Sequence, residues 1–173
     1  SDTVGLVTTV KVIAGDLGDT TSLAPPPHSW AANPDNHLAI WLINMEPGAT
    51  WTLPAAAPGI NRALYLYNGD QLQAADRSVS NYHAIQVDSG TDIPLIAGKQ
   101  PVSMLLLQGR PINEPVVQHG PFVMNTQEEI SLAFAEYRKT QFGGWPWPTD
   151  EQVHDRNRSR FALYPDGSKE ERG

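Results

Sequence analysis

The chain has 173 residues, 40 % of them apolar and 18 % charged, which is the make-up of one domain large enough to bury a core. A net charge of −7 with no basic cluster excludes a surface built to neutralise nucleic-acid phosphates. The absence of cysteine excludes disulfides, thiolate metal sites and cysteine nucleophiles, and fits a reducing, cytoplasmic compartment.

The longest apolar runs are about six residues, far short of a bilayer span, so no membrane partner is expected. No secretory leader is visible, and the opening Ser1-Asp2 reads as a piece of something longer. Gly5 to Ala14, rich in Val, Ile and Thr and stopped by Gly15, predicts a first strand. Pro25-Pro26-Pro27 keeps the next segment extended, because prolines lack the amide that a helix needs. His37 to Met45 is a strand apolar on both faces. Leu38, Ile40 and Leu42 lie on one side and Ala39, Trp41, Ile43 and Met45 on the other, so both sides need cover.

Short strands follow at Thr50 to Leu53, Arg62 to Tyr67, Gln71 to Ala75, His83 to Val87, Ile93 to Ala97 and Val102 to Leu107. Asn68-Gly69-Asp70 is the strongest hairpin signal among them. About eight strands joined by tight turns within about 100 residues predict an all-β, antiparallel sandwich or jelly-roll barrel. After Gly109, an elbow punctuated by Pro111 and Pro115 and a Gly120-Pro121 turn form a clasp that leads into a helix. Thr126-Gln127-Glu128-Glu129 matches a capping box, and Ile130, Ala133, Phe134 and Tyr137 share one face. Arg138 and Lys139 suit the negative end of the helix dipole, and Gly143-Gly144 is the expected stop. The organisation is thus barrel and clasp over 1–126, a C-terminal helix over 127–142, and an irregular aromatic and proline-rich tail over 143–173.

The clasp, the helix and the string Phe142 to Trp147 (FGGWPW) resemble the C-terminal region of the pirin family. The resemblance rests on Asn113-Glu114-Pro115, Gly120-Pro121-Phe122-Val123-Met124-Asn125-Thr126 and Glu129-Ile130. In the tail it extends to Arg160-Phe161-Ala162 and Pro165-Asp166-Gly167. Pirins are bicupins, two jelly-roll (cupin) barrels face to face. In that family the N-terminal cupin binds one iron through three histidines and a glutamate, and the C-terminal one usually lacks metal. The resemblance therefore implies that this chain is the C-terminal cupin half, with no cofactor of its own and iron in an N-terminal half that would be its partner. It also implies quercetin 2,3-dioxygenase chemistry or a redox-sensitive protein-interaction role for the whole, with a regulatory protein as a possible partner. A stand-alone cupin holding a small apolar ligand is the third reading.

A cupin metal cage needs two histidines two apart on one strand, a carboxylate and a later histidine, since alternate strand residues share a face. Counted from Gly48, the two histidine positions fall on Pro54 and Ala56 and the carboxylate on Ile60 or Asn61. The second motif, after Gly90, offers Pro101. No metal ligands and no catalytic residues are therefore expected here. Among the histidines, His28 and His37 flank a loop, His83 begins a strand and His154 lies in the polar tail. His119, in the clasp, would bond a loop carbonyl or meet the missing half. Glu114 would brace the elbow through backbone amides or a salt bridge with Arg110 rather than act chemically, and Asn125 belongs to the same motif. No G-x-S-x-G elbow or phosphate-binding glycine pattern occurs. Trp145 and Trp147, stiffened by Pro146 and Pro148, offer rigid aromatic area suited to an interface or a lid.

Overall fold

The computed structural model describes residues 5–151 and 154–172. Residues 1–4, 152–153 and 173, parts of the expected barrel segment 1–126 and tail 143–173, lie outside the described residues. The chain divides into two compact units, 1–112 and 113–173.

The first unit holds eleven strands: β1 (Thr8–Ala14), β2 (Asp16–Leu17), β3 (Thr20–Thr21), β4 (Ala39–Met45), β5 (Thr50–Leu53), β6 (Asn61–Asn68), β7 (Gln71–Ala74), β8 (Arg77–Ser80), β9 (His83–Gln86), β10 (Ile93–Ala97) and β11 (Val102–Gly109). They pair antiparallel into a five-stranded sheet in the order β1-β4-β11-β6-β9 and a four-stranded sheet in the order β5-β10-β7-β8, with β2-β3 as a small hairpin. This is the all-β jelly-roll architecture anticipated from the strand pattern. The turn at Gly69 needs its glycine twice over. Its φ is +119°, and a Cβ there would stand 3.0 Å from Pro101 O.

Alternation decides which residues fill the space between the sheets. Ile43, Leu53, Leu64, Leu95, Met104 and Leu106 are fully enclosed and belong to one apolar cluster with Trp41, Met45, Leu66 and Leu72. Register stacks the inward residues of the larger sheet in layers. Ile43 and Met104 form one layer with Leu66, and Trp41, Leu106, Leu64 and Ile85 form the next. The layer at the end of the sheet is Ala39, Gln108 and Arg62. There the inward rows of β6 and β11, apolar up to that point, turn polar.

The opposite face of the same sheet is also apolar. Ile40 lies opposite Leu107 and Ala63, and Leu42 opposite Leu105 and Tyr65. Leu107 and Tyr65 are exposed, and Ile40, Leu42 and Leu105 are half-buried. The two-sided apolarity of His37 to Met45 is thus real, with strand bounds of Ala39–Met45.

In the second unit, β12 (Val117–His119) and β13 (Phe122–Met124) form a hairpin, against which α1 (Gln127–Thr140) packs. The capping box at Thr126 and Glu129 is present in both directions. Ile130 and Ala133 are buried, as the stripe requires. The helix stops earlier than the glycine pair suggests. Gln141 takes the left-handed conformation (φ 48°) and caps Tyr137 O, and Phe142 is also left-handed at φ 51°. That turn sets the Phe142 ring 6.1 Å from Phe122 and 5.3 Å from Tyr137, and this aromatic packing accompanies the earlier stop. The tail expected to be irregular contains a further hairpin, β14 (Arg160–Leu163) with β15 (Lys169–Arg172).

Candidate functional site

The polar layer at the end of the barrel interior is the most unusual chemistry in the first unit. Arg62 shares an inward row with Leu64 and Leu66 and is only 3 % exposed. Its Nε and Nη1 are enclosed and have no hydrogen-bond partner. Burial pulls the guanidinium below its ordinary pKa. Among the described residues the one ion pair is Lys169 with Glu171, so Arg62 has no acidic partner there. Gln108 stands directly opposite on β11, and its Oε1 is enclosed without a donor. Its Nε2 is engaged, donating to His37 O at 2.9 Å.

The segment before β4 is tied to this end of the sheet. Arg110 Nε donates to Asp35 O at 2.8 Å, and the Arg110 amide donates to Asn36 O at 2.8 Å. Asn36 Nδ2 donates to Trp30 O at 2.6 Å. Gly109 passes so close to Trp30 that a Cβ would lie 3.1 Å from the indole. On the outer face of the same sheet, Asn61, Ala63, Gln86, Leu107 and Gly109 line a cleft of about 250 Å³ that also touches Arg62 and Gln108.

The inward donor set does not suit an iron ion. Every described His, Asp and Glu is exposed, and the polar groups on the interior rows are the Thr8 hydroxyl, the Trp41 indole N–H, the Gln108 amide and the Arg62 guanidinium. No group of three or more His, Asp or Glu among the described residues is placed to share a metal. Pro54 and Ala56, which hold the positions that histidines would need, come after β5 has ended.

The residues singled out from the sequence fall in the second unit. Asn125 Nδ2 donates to Glu114 Oε2 at 2.8 Å and to Pro115 O at 3.1 Å. Glu114 is thus held by the Asn125 side-chain amide rather than by backbone amides. Glu129 Oε2 receives the amides of Asn125 (2.9 Å) and Thr126 (2.8 Å), so the clasp and the helix start form one network. His119 stands edge-on to Phe134, with ring centroids 5.5 Å apart, and Phe122 meets the same ring at 4.8 Å. A ring contact, not a loop carbonyl, is what the structure gives His119. Trp145 and Trp147 lie 4.7 Å apart, and Trp145 Nε1 donates to Thr149 O at 2.7 Å. Trp145 remains exposed, and Trp147 lines a cleft of about 700 Å³ with Pro148, His154, Arg158 and Phe161. Arg158 sits over the Phe161 ring at 3.6 Å.

His83 is exposed, and its Nδ1 lies 3.0 Å from Asn81 O and 3.1 Å from Ser80 O. It is a turn-bracing residue on the surface. Arg62 was missed at the sequence level although its signal was present: Arg62, Leu64 and Leu66 alternate with Ala63, Tyr65 and Tyr67. Both faces of that strand look usable until the register fixes which one points inward.

With this geometry in hand, comparison with known proteins is decisive. The Pirin C-terminal cupin domain matches residues 40–143, more than half of the chain. The chain belongs to the pirin C-terminal cupin family. Human pirin is 34 % identical over 106 residues, covering 58 % of this chain and 36 % of that protein. A Vibrio cholerae protein provisionally named quercetin 2,3-dioxygenase is 42 % identical over 85 residues, 49 % of this chain and 29 % of its own. The crystal structure of quercetin 2,3-dioxygenase from Acinetobacter baumannii superposes with a TM-score of 0.66 at 27 % identity, over 83 % of this chain and 46 % of that one. The chain therefore spans less than half the length of these relatives. No helix among the described residues is long and apolar enough to cross a membrane.

Proposed function

We propose that this chain is the metal-free structural and protein-contact half of a two-cupin, pirin-like protein. The observation that carries the reading is the apolar stripe of Ile40, Leu42, Leu105, Leu107 and Tyr65 on the outer face of the five-stranded sheet. An apolar stripe of this kind on an outer sheet face favours a partner surface. The preceding cupin, which in the longer relatives would account for the unmatched length, is the partner of fitting shape and size. Iron would belong to that partner, because the inward rows here offer no ligands for it. A regulatory protein would read the assembled surface, including Trp145 and Trp147, in the cytoplasm.

Light scattering of the chain mixed with an N-terminal cupin half tests this directly. A one-to-one complex is expected, and Tyr65→Lys with Leu107→Glu should abolish it while leaving the melting temperature of the chain nearly unchanged. Two species that stay separate would reject the docking role.

A second reading follows from the Acinetobacter structure: the assembled protein is a quercetin 2,3-dioxygenase, and this half shapes the cleft beside its centre. Oxygen uptake with quercetin should then require both halves. The filled interior weighs against a barrel that holds an apolar ligand at its centre.

A further inference from the structure

We propose that the outer face of the five-stranded sheet takes a different protein, not a second copy of this chain, and that this partner sets a carboxylate against Lys11. The inference rests on the docking role above and names the chemistry of the surface that fits it.

Register puts Lys11 on that face. It lies opposite Leu42, which lies opposite Leu105, then Tyr65 and then Ala84, one row across all five strands. Val10 and Val12 on either side of it pack inward against the core, while Lys11 itself is exposed. The ammonium therefore shares the side of the two leucines and the phenol. Strands about 4.8 Å apart set it about 14 Å from Tyr65, at the β1 margin of the stripe. An apolar centre with its charge at the rim is the layout of a protein interface.

The signs of charge decide what covers this face. The chain has 19 acidic residues and a net charge of −7, yet none of the five strands contains an Asp or Glu. Their lysine and arginine are Lys11, facing out, and Arg62, facing in. The one ion pair among the described residues is Lys169 with Glu171, so Lys11 has no acidic partner there. Face-to-face pairing of two copies is isologous, so each would offer the other the same acid-free strands. Lys11 would then lose water without gaining a counter-charge, which is unfavourable. An anionic membrane surface is recognised by clusters of basic residues, and a single lysine is not one. A different protein with an apolar patch and a carboxylate over Lys11 satisfies both the stripe and the cation. The N-terminal cupin half fills that role, since the relatives carry more than half of their length outside the matched segment.

A lysine on an edge strand also keeps foreign strands from pairing with it. Glutamate would guard the edge equally well, so Lys11→Glu separates guarding from partner recognition. The test measures binding of the 173-residue chain to the N-terminal cupin half by surface plasmon resonance at 50 and 500 mM NaCl. At low salt Lys11→Glu should raise Kd about tenfold or more, chiefly through slower association, with the gap closing at high salt and the melting temperature unchanged. Zero-length carbodiimide crosslinking of the parent complex should join the Lys11 peptide to an Asp or Glu peptide of the partner. The same crosslink in the two halves joined as one polypeptide keeps the question answerable if the N-terminal half does not fold alone. If Tyr65→Lys with Leu107→Glu breaks the complex and Lys11→Glu does not, this inference falls and the docking role stands. A crosslink from Lys11 to another copy of this chain would also overturn it. No complex and no crosslink between the halves would overturn both.

Discussion

Asn125 is latched to Glu114: one side-chain nitrogen reaches both Glu114 Oε2 at 2.8 Å and Pro115 O at 3.1 Å, pinning the elbow against the residue just before the helix cap. Removing the amide should cost more than removing the charge, since one donor serves two acceptors. Asn125→Ala is expected to lower unfolding stability by about 1–2 kcal/mol, and Glu114→Gln, which keeps an acceptor, by about 0.5 kcal/mol or less. Urea denaturation of the two variants would show the order, and equal losses would refute the latch.

The helix start gives a second expectation. Thr126 accepts from the Glu129 amide at 3.2 Å, while Glu129 Oε2 receives two amides in return. Thr126→Ala should cost about 1 kcal/mol, and Glu129→Ala at least as much, because it strands two donors. Far-UV circular dichroism during the melt would check whether both losses track helix signal.

Neighbouring leucines on β11 should respond very unequally. Leu106 is fully enclosed in the core and Leu107 is 39 % exposed on the outer face. Leu106→Ala is expected to lose about 3 kcal/mol through lost burial and the cavity left behind, and Leu107→Ala well under about 1 kcal/mol. Comparable losses would mean that the outer face is covered within this chain.

Asp70 makes the acid limb of stability predictable. Desolvation works against its ionisation, yet the amides of Gln100, Lys99 and Gln71 outweigh it and hold the carboxyl below its ordinary range. A folded-state pKa that is depressed gives stability that is present in full above the unfolded value, near 3.9. That stability fades as pH falls through the lower folded value. Asp70→Asn should therefore be less stable than the parent at neutral pH, with the gap narrowing below about pH 4. A gap independent of pH would point to lost turn geometry instead.

Legibility in the sequence tracked how local each signal is. The capping box needs four consecutive residues, and Thr126 to Glu129 supply them, so the helix start was readable to the residue. Strand alternation fixed Ala39, Trp41, Ile43 and Met45 as one face, and that face is the buried one. The β14–β15 hairpin escaped because its partners, such as Phe161 with Glu171 and Leu163 with Lys169, offer no apolar periodicity. The Arg62–Gln108 pairing could not be found either. It joins residues far apart in the chain and exists only once β6 and β11 have chosen their register. The contact of His119 with Phe134 depends on how the helix packs on β12 and β13, which no local pattern states.

The position of β11 carries a consequence for synthesis. β1 with β4, and β6 with β9, can each pair early, but the seam between them stays open until Val102–Gly109 slides into the gap. A nascent chain stopped short of Gly109 would offer two raw ribbon margins to its neighbours, so the hydrophobic interior cannot be sealed until synthesis has passed the end of β11.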